Sequence, residues 1–518
     1  MDTATTTSPT YDELQRQNAE LQEQVAGLQA QVAWLKRQLF GSKSERFMPA
    51  DPNQTELFAE ELRQAMAAAE AESDKAMASV PAKPAPRKSA RKNRSMMEDL
   101  PVLKTEVIEP EGVDLSVYKR IGEEVTRVVE FEPGRMYIRE IIRPKYGLRD
   151  NTSLPQEGKS GVLIAPMPAM PVNKCIAGPS LLAETLLGKY EYHIPFYRQV
   201  QQYRHLGLKI PENTVSGWFR PVTELLKPLY EVLKTEIFHS GYIQSDETTT
   251  PVIDRERHKA AKEYLWMVRA VEERLVMFYY DMGSRSGNVI RALAENFKGY
   301  LQSDAFGGYE SAFGGNPDVC LVACMAHIRR KFEQAKAENP TPAGHVLERI
   351  GALYRIERAA TEAGLDNEQR RRKREELSRP IMEALKSWME CEGVKYGEST
   401  LMGKAVTYAY GNWGKMMNYL KDGRLMIDNN LAENAIRPIT LGRKNYLFCG
   451  NHEAAADMAV VCSLLATCKA QAVNPRLWLN DIIAILPSMP KAGHDQLRQL
   501  LPDIWKKSHS EADMSNNA

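Results

Sequence analysis

Three acidic side chains carry the strongest chemical signal in this chain of 518 residues. Asp246 lies in the run IQSDETTTPVI, Asp304 in LQSDAFGGY, and Glu433 in LMIDNNLAENAIRPITLGRKN. Carboxylate oxygens suit hard cations such as Mg²⁺ or Mn²⁺. Three like charges brought together are tolerable when metal neutralises them. Two such ions about 4 Å apart would activate an attacking oxygen and stabilise a leaving one, the chemistry of phosphoryl transfer. The bland alternative for Glu433 is a surface salt bridge with Arg437, four positions on, and most of the 67 acids must be solvated.

The elements that must position these acids can be read from the pattern of apolar residues. GYIQSDETTTPVI, EYLWMVRAV and RLVMFYYDM are three strand-like runs joined by short polar connections. NVIRALAENFKG has helical spacing, YLQSDAFGGY reads as a strand ending in an acid, and VCLVACMAHIRRKFEQAK as a strand running into a helix. The order β-β-β-α-β-α-β-α predicts a mixed sheet with helices on its faces. If the first and fourth strands are neighbours, Asp246 and Asp304 converge. Glu247 adjoins Asp246 but points to the opposite face of the strand. Asp428 or Asn429 can cap a helix starting near Asn430, which would set Asn430, Glu433 and Arg437 on one face. Pro438 is expected to end or kink that short helix.

Upstream, Leu14, Leu21, Leu28 and Leu35 recur every seven residues, alternating with Tyr11, Asn18, Val25, Val32 and Leu39. This heptad predicts a parallel two-stranded coiled coil over 11–39, hence a homodimer or higher homo-oligomer; a single amphipathic helix is the alternative. KPAPRKSARKNR, with Arg87, Lys88, Arg91 and Lys92, is a basic arm able to lie along phosphates, and reads equally well as a solvated linker. Residues 100–160 alternate apolar and polar positions as a small β-rich module would. YRQVQQYRHLGLKIPENTVSGWF reads as helix, turn at Gly207, helix, and places Thr214, Ser216 and Arg220 on the second helix. This is similar to a helix-turn-helix DNA reader, and also to ordinary helical packing. Arg329, Arg330, Arg443 and Lys444 flank the acids and are further candidates for phosphate contact, or else exposed basic helix faces.

Composition sets the outer limits. Lys and Arg number 68 against 67 acids, so net charge neither favours nor excludes nucleic acid, and its distribution matters more. No stretch approaches the roughly 18 apolar residues of a membrane span, and no secretory signal pattern opens the chain, so a cytoplasmic protein without a membrane partner is expected. Seven cysteines form no CxxC pair, which signals neither a zinc knuckle nor a disulfide framework.

IQSDETTTPVI, LQSDAFGGY, CMAHIRRKF and DNNLAENAIRPITLGRKNYLFCGN, in this order, resemble the DDE transposases of the insertion-sequence-sixty-six family. LKRQLFGSKSER, AGPSLLAETLLGKYEYHIPFYRQ and LLATCKAQAVNPRLWLNDII extend the likeness from about residue 14 to 487. The resemblance implies a multidomain α/β protein. Its parts would be a coiled coil at 1–48, a linker with a basic arm at 49–99, a small β-rich module at 100–172 and a helical DNA-binding domain at 173–238. A ribonuclease-H-like catalytic core would follow at 239–332 and 428–470, interrupted by a helical insertion at 333–427, with a helical segment and disordered tail at 471–518. By the same resemblance Asp246, Asp304 and Glu433 match the catalytic, metal-holding triad. Cys324 and His327 match a Cys-x-x-His element that supports the active-site helix, alongside Asn430 and Arg437. The implied activity is cleavage at the terminal inverted repeats of an insertion sequence and strand transfer to target DNA, with two Mg²⁺ or Mn²⁺ ions and accessory proteins of the same element as possible partners. The family's CxxC pair, expected within 105–155, is missing, since no cysteine precedes Cys175, and no zinc is predicted. The alternatives are a non-cutting DNA-binding regulator and a ribonuclease-H-like nuclease.

Overall fold

The computed structural model describes residues 100–113, 118–132, 134–148, 162–254 and 259–509. The expected coiled coil and the basic arm with Arg87, Lys88, Arg91 and Lys92 lie outside the described residues.

The first sheet is built from β1 (Val102–Val107), β2 (Tyr118–Glu132), β3 (Arg135–Leu148) and β4 (Val162–Ile164). β2 and β3 form a long antiparallel hairpin closed at Gly134, whose φ of 84° suits a residue without a side chain. β1 runs parallel to β3, and β4 pairs with its far end. Val129, Met136 and Ile138 turn inward and share one continuous core with the helices that follow.

Those helices are α1 (Pro179–Tyr190), α2 (Phe196–His205) and α3 (Glu212–His239). The turn after α2 is made at Gly207, which takes a φ of 96°. α3 begins at Glu212 and continues for 28 residues. Val215, Trp218, Phe219, Val222, Leu226, Leu229, Leu233 and Ile237 recur at spacings of three and four and are all buried. Pro221 and Pro228 interrupt the hydrogen-bond ladder within it. Both lie on the exposed side, as do Gly217 and Glu224, whose carbonyls lose their partners there and can turn to water.

The second sheet has the strand order β7-β6-β5-β8-β9. Its members are β5 (Tyr242–Asp254), β6 (Lys259–Ala270), β7 (Leu275–Tyr279), β8 (Gly299–Ser303) and β9 (Val319–Ala323). α4 (Gly287–Leu293) and α5 (Gly307–Phe313) make the crossovers. β5, β6 and β7 are antiparallel, whereas β5, β8 and β9 are parallel, so the first and fourth strands of the sheet are neighbours. Leu265–Val268 and Leu275–Phe278 are wholly buried, because helices cover both faces. The edge strand β7 is closed by α12 (His452–Ala470): Ser463 Oγ accepts from Phe278 N at 2.7 Å, and Thr467 Oγ1 from Val276 N at 3.0 Å. Side-chain hydroxyls thus occupy an edge that would otherwise offer itself to another strand.

After β9 the chain enters α6 (Met325–Ala335) and then the helices α7 (Pro340–Glu362), α8 (Asn367–Lys373), α9 (Arg379–Cys391) and α10 (Leu401–Met417). These form a second core around Ile350, Leu353, Met382, Leu385, Met402 and Trp413. The chain returns to the sheet as α11 (Asn430–Tyr446), and α13 (Pro475–Ile485), α14 (His494–Arg498) and α15 (Pro502–Ser508) complete the described part. The fold class is therefore mixed α/β with two mixed sheets. No helix among the described residues is long and apolar enough to cross a membrane.

Of the end or kink expected at Pro438, the end does not occur. α11 does not stop at Pro438 but runs through it to Tyr446. The carbonyl deprived of its partner is that of Asn434, an exposed residue, while Ala432, Ile436, Ile439 and Gly442 remain buried on the other side. Burial of that stripe outweighs one missing bond on the wet face.

Candidate active site

β5 and β8 are registered Tyr242 to Tyr300, Ile243 to Leu301 and Gln244 to Gln302. Two residues further on, on the same face, come Asp246 and Asp304. Each aspartate is held by its own backbone: Asp246 Oδ1 accepts from Glu247 N at 2.8 Å, and Asp304 Oδ1 from Phe306 N at 2.9 Å. The latter turn is made by Ala305 at a φ of 66°, an unusual conformation for a residue with a side chain. Tyr408 of α10 donates to the Asp304 carbonyl at 2.6 Å. Glu247 faces the other way, where Arg285 grips it through Nε at 2.9 Å and Nη2 at 2.7 Å, and Tyr309 donates to it at 3.2 Å.

α11 lies along β5 and is fixed at both ends. Before its first turn, Asp428 is buried and accepts from Asn430 N at 3.1 Å, from Asn430 Nδ2 at 2.9 Å and from Tyr354 at 2.9 Å. Past its last turn, Cys449 N donates to Pro251 O at 2.8 Å and Ile253 N to Cys449 O at 2.9 Å. Between these ties Arg443 donates to the Thr249 carbonyl and, at 2.9 Å, to its hydroxyl. Glu433, in the first turn of α11, thereby stands beside the aspartates. Its carboxylate is 3.6 Å from His327 Nε2 and 3.6 Å from Arg330 Nη2, both on α6.

The electrostatics follow from this crowding. Burial, then the charges of Asp304 and Glu247 and, more weakly, Glu433, push Asp246 up to about 8. Burial holds the His327 imidazole below its ordinary value, partly opposed by Glu433. Glu433 Oε1 is buried without a hydrogen-bond donor, as is His327 Nδ1. As placed, no three acidic, histidine or cysteine side chains among the described residues close into a metal cage, Glu433 lying toward Arg330 and His327. The donor set nevertheless fits a hard divalent cation: three carboxylates, mutual repulsion to relieve, and an orphaned buried oxygen on Glu433.

Cys324 precedes α6, and its Sγ accepts from Asn429 N at 3.4 Å, joining the starts of α6 and α11. Burial raises this thiol to about 12, so it is not a thiolate near neutrality. The cationic candidates divide. Lys444 is exposed. Arg329 is exposed and lies 3.5 Å from Glu333. Arg330 faces Glu433, while Arg443 is half-buried against β5. On α3, Thr214 is half-buried, Ser216 is exposed with its hydroxyl donating to Asn213 O at 3.2 Å, and exposed Arg220 is paired with Glu453. Arg437 is exposed near Glu433. Sequence reasoning missed the buried trio Tyr242, Gln244 and Gln302 beneath the aspartates. The repeated Gln-Ser-Asp in the two strands was the available signal.

A mixed sheet thus offers paired acids from neighbouring strands, with a third acid on the helix that lies along one of them. This chain belongs to the Transposase IS66 family, whose model matches residues 174–457. A second model, described as Transposase C of IS166 homeodomain, matches residues 27–104. Three proteins of Sinorhizobium fredii are similar over most of their length. Uncharacterized protein y4jD is 29% identical over 90% of this chain and 92% of its own. Uncharacterized protein y4hP is 28% identical over 75% and 72%, and uncharacterized protein y4qI 29% over 86% and 82%.

Proposed function

We propose that this transposase cuts the ends of its insertion sequence and joins them to target DNA, and that Asp246, Asp304 and Glu433 are its catalytic acids. The observation that carries the reading is the shared face and register of Asp246 and Asp304 on adjoining parallel strands, with Glu433 on the helix pinned along one of them. The strand order, with three antiparallel strands followed by two parallel ones, supports a ribonuclease-H-like core for residues 239–332 and 428–470.

The three carboxylates would hold Mg²⁺ or Mn²⁺. When bound, such ions activate an attacking oxygen and stabilise a leaving one in phosphoryl transfer. The protein's own part is positioning. Asp246 and Asp304 each fix one oxygen on a backbone N–H, which limits how the carboxylate can rotate. Arg330 and His327 engage the Glu433 carboxylate, each at 3.6 Å, and fix where it stands on α11. No side chain at the site is set up as a nucleophile: the Cys324 thiol is buried and protonated, and the Ser245 hydroxyl donates to Met267 O at 3.0 Å. Water and a DNA 3′-hydroxyl are then the attacking groups, with no covalent enzyme intermediate. Exposed Lys444, Arg329 and Ser216 are candidates for the DNA backbone, and an N-terminal coiled coil would pair subunits so that both ends are handled together.

Strand transfer with donor DNA taken from the flanks of the gene tests this. Wild type should cleave and join with Mg²⁺, whereas Asp246→Ala, Asp304→Ala and Glu433→Ala should each lose both steps by three or more orders of magnitude. Unchanged joining in the three variants would overturn the assignment. Cleavage without joining in the wild type would favour a nuclease.

A further inference from the structure

We infer that Tyr242, Gln244 and Gln302 form a buried clamp that sets the position of Glu433 relative to the two aspartates, and so act as positioning residues for the reaction proposed above, on which this inference rests. All three are at most 1% exposed. They stand on the face of β5 and β8 that carries Asp246 and Asp304, two or four positions before them.

The clamp's target is the strap 426–429 that leads into α11. Met426 N donates to Tyr242 Oη at 3.1 Å. Gln302 Nε2 donates to Met426 O at 2.9 Å, and Gln244 Nε2 to Asp428 O at 3.1 Å. The trio is also bonded internally, Tyr242 and Gln244 both donating to Gln302 Oε1, the latter at 2.9 Å. α6 holds the same strap from another side, through Met325 N to Ile427 O at 3.0 Å and Asn429 N to Cys324 Sγ.

Packing alone does not require this arrangement. Apolar side chains of the same volume would fill the space without desolvating two amides and a phenol. Directional bonds to successive backbone groups do what apolar contact cannot: they define one register of the strap against the sheet. The aspartates and the clamp share one strand pair, and the strap ends where the helix bearing Glu433 begins. A shift of the strap would therefore move Glu433 while leaving Asp246 and Asp304 in place.

The test uses the full chain with Gln302→Met, Gln244→Met and Tyr242→Phe, and Mn²⁺ as the probe. Free Mn²⁺ is followed by electron paramagnetic resonance, nicking of supercoiled plasmid gives the rate, and thermal unfolding is recorded in EDTA. Weakened Mn²⁺ binding, on the order of tenfold or more, is expected. The nicking rate should fall about 10²-fold. Thermal midpoints that drop while Mn²⁺ affinity and low-temperature nicking stay within threefold of wild type would overturn the inference, because the trio would then serve stability alone. If a Met variant does not fold, Gln302→Glu decides: it keeps the acceptor for Tyr242 and removes the amide that donates to Met426 O. Asp246→Asn and Glu433→Gln separate the two ideas. Their failure to alter binding or nicking sinks the metal site itself; a loss in them beside normal clamp variants sinks only the clamp.

Discussion

Replacing Arg374 by methionine should open the helical insertion without touching the acids. Arg374 follows α8 directly, is 1% exposed, and uses all five of its donors. Nε and Nη2 each meet Glu357 at 2.8 Å. Nη1 donates to Tyr419 O at 2.9 Å and to Asp422 O at 2.8 Å, and Nη2 to Leu425 O at 2.7 Å. One guanidinium thus ties α7 to the segment by which the chain leaves α10 and returns to the sheet. Methionine fills a similar volume but leaves the largely buried Glu357 carboxylate with Arg370 alone, at 3.4 Å, and takes the guanidinium donor from three carbonyls, of which Asp422 O keeps Leu425 N at 3.2 Å.

Removing one partner of a buried ion pair costs about 3–5 kcal/mol. Amide exchange of the full chain measures this locally: α7, α9 and α10 in Arg374→Met should exchange about 10²–10³-fold faster wherever opening of the insertion governs exchange. The second sheet should be much less affected. Arg374→Lys keeps the charge but cannot reproduce the forked geometry, and should fall between. Glu357→Leu combined with Arg374→Met should recover part of the loss, since no buried charge is then left unpaired. Exchange in Arg374→Met within twofold of wild type would refute the reasoning, as would acceleration spread evenly over the second sheet.

Asp246→Asn should stabilise the metal-free protein. An acid raised in the fold from 3.8 to about 8 destabilises it increasingly as pH rises between those values, and the cost is constant above the upper one. Denaturation in EDTA should therefore show the variant's advantage growing from pH 4 to 8, to several kcal/mol, and flat beyond; an advantage that shrinks with pH would contradict the assigned burial and repulsion. Among the basic residues, Lys444→Ala should lower the slope of log affinity for duplex DNA against log salt by about 0.9, the effect of one lost phosphate contact. Arg443→Met should leave that slope unchanged and reduce stability, since its guanidinium braces Thr249. The reverse pattern in salt titrations would exchange the roles of the two residues.

The second sheet was legible because its signals are local. Strand-like runs, helical spacing and the acid ending β8 all lie within windows of about ten residues, and their order restricts the topology enough to make β5 and β8 neighbours. That the helix would continue past Pro438 was hidden for an equally local reason. A proline within a helix is costly when its orphaned carbonyl is buried, and exposure of Asn434 cannot be read from a short window. Nor could the shared core be foreseen. Val129 of β2, Phe219 of α3 and Phe278 of β7 belong to one apolar cluster, although sequence composition separates their segments.

At the site the boundary between legible and illegible follows the chemistry of each residue. Carboxylates suited to metal stand out by type, and the resemblance singled out three among many. What fixes them does not stand out: a glutamine amide bonded to a carbonyl 124 positions away looks, in sequence, like any surface glutamine. Arg374 likewise sits in the basic run EQRRRKRE, where its neighbours Arg371 and Arg372 pair with Glu368 on the exposed face and it alone turns inward to full burial. Long-range hydrogen bonding assigns these roles, and it does so where a helical insertion must hand the chain back to the sheet in one register. The further the third acid lies from the first two along the chain, the more of its placement must be carried by such buried polar contacts rather than by strand pairing.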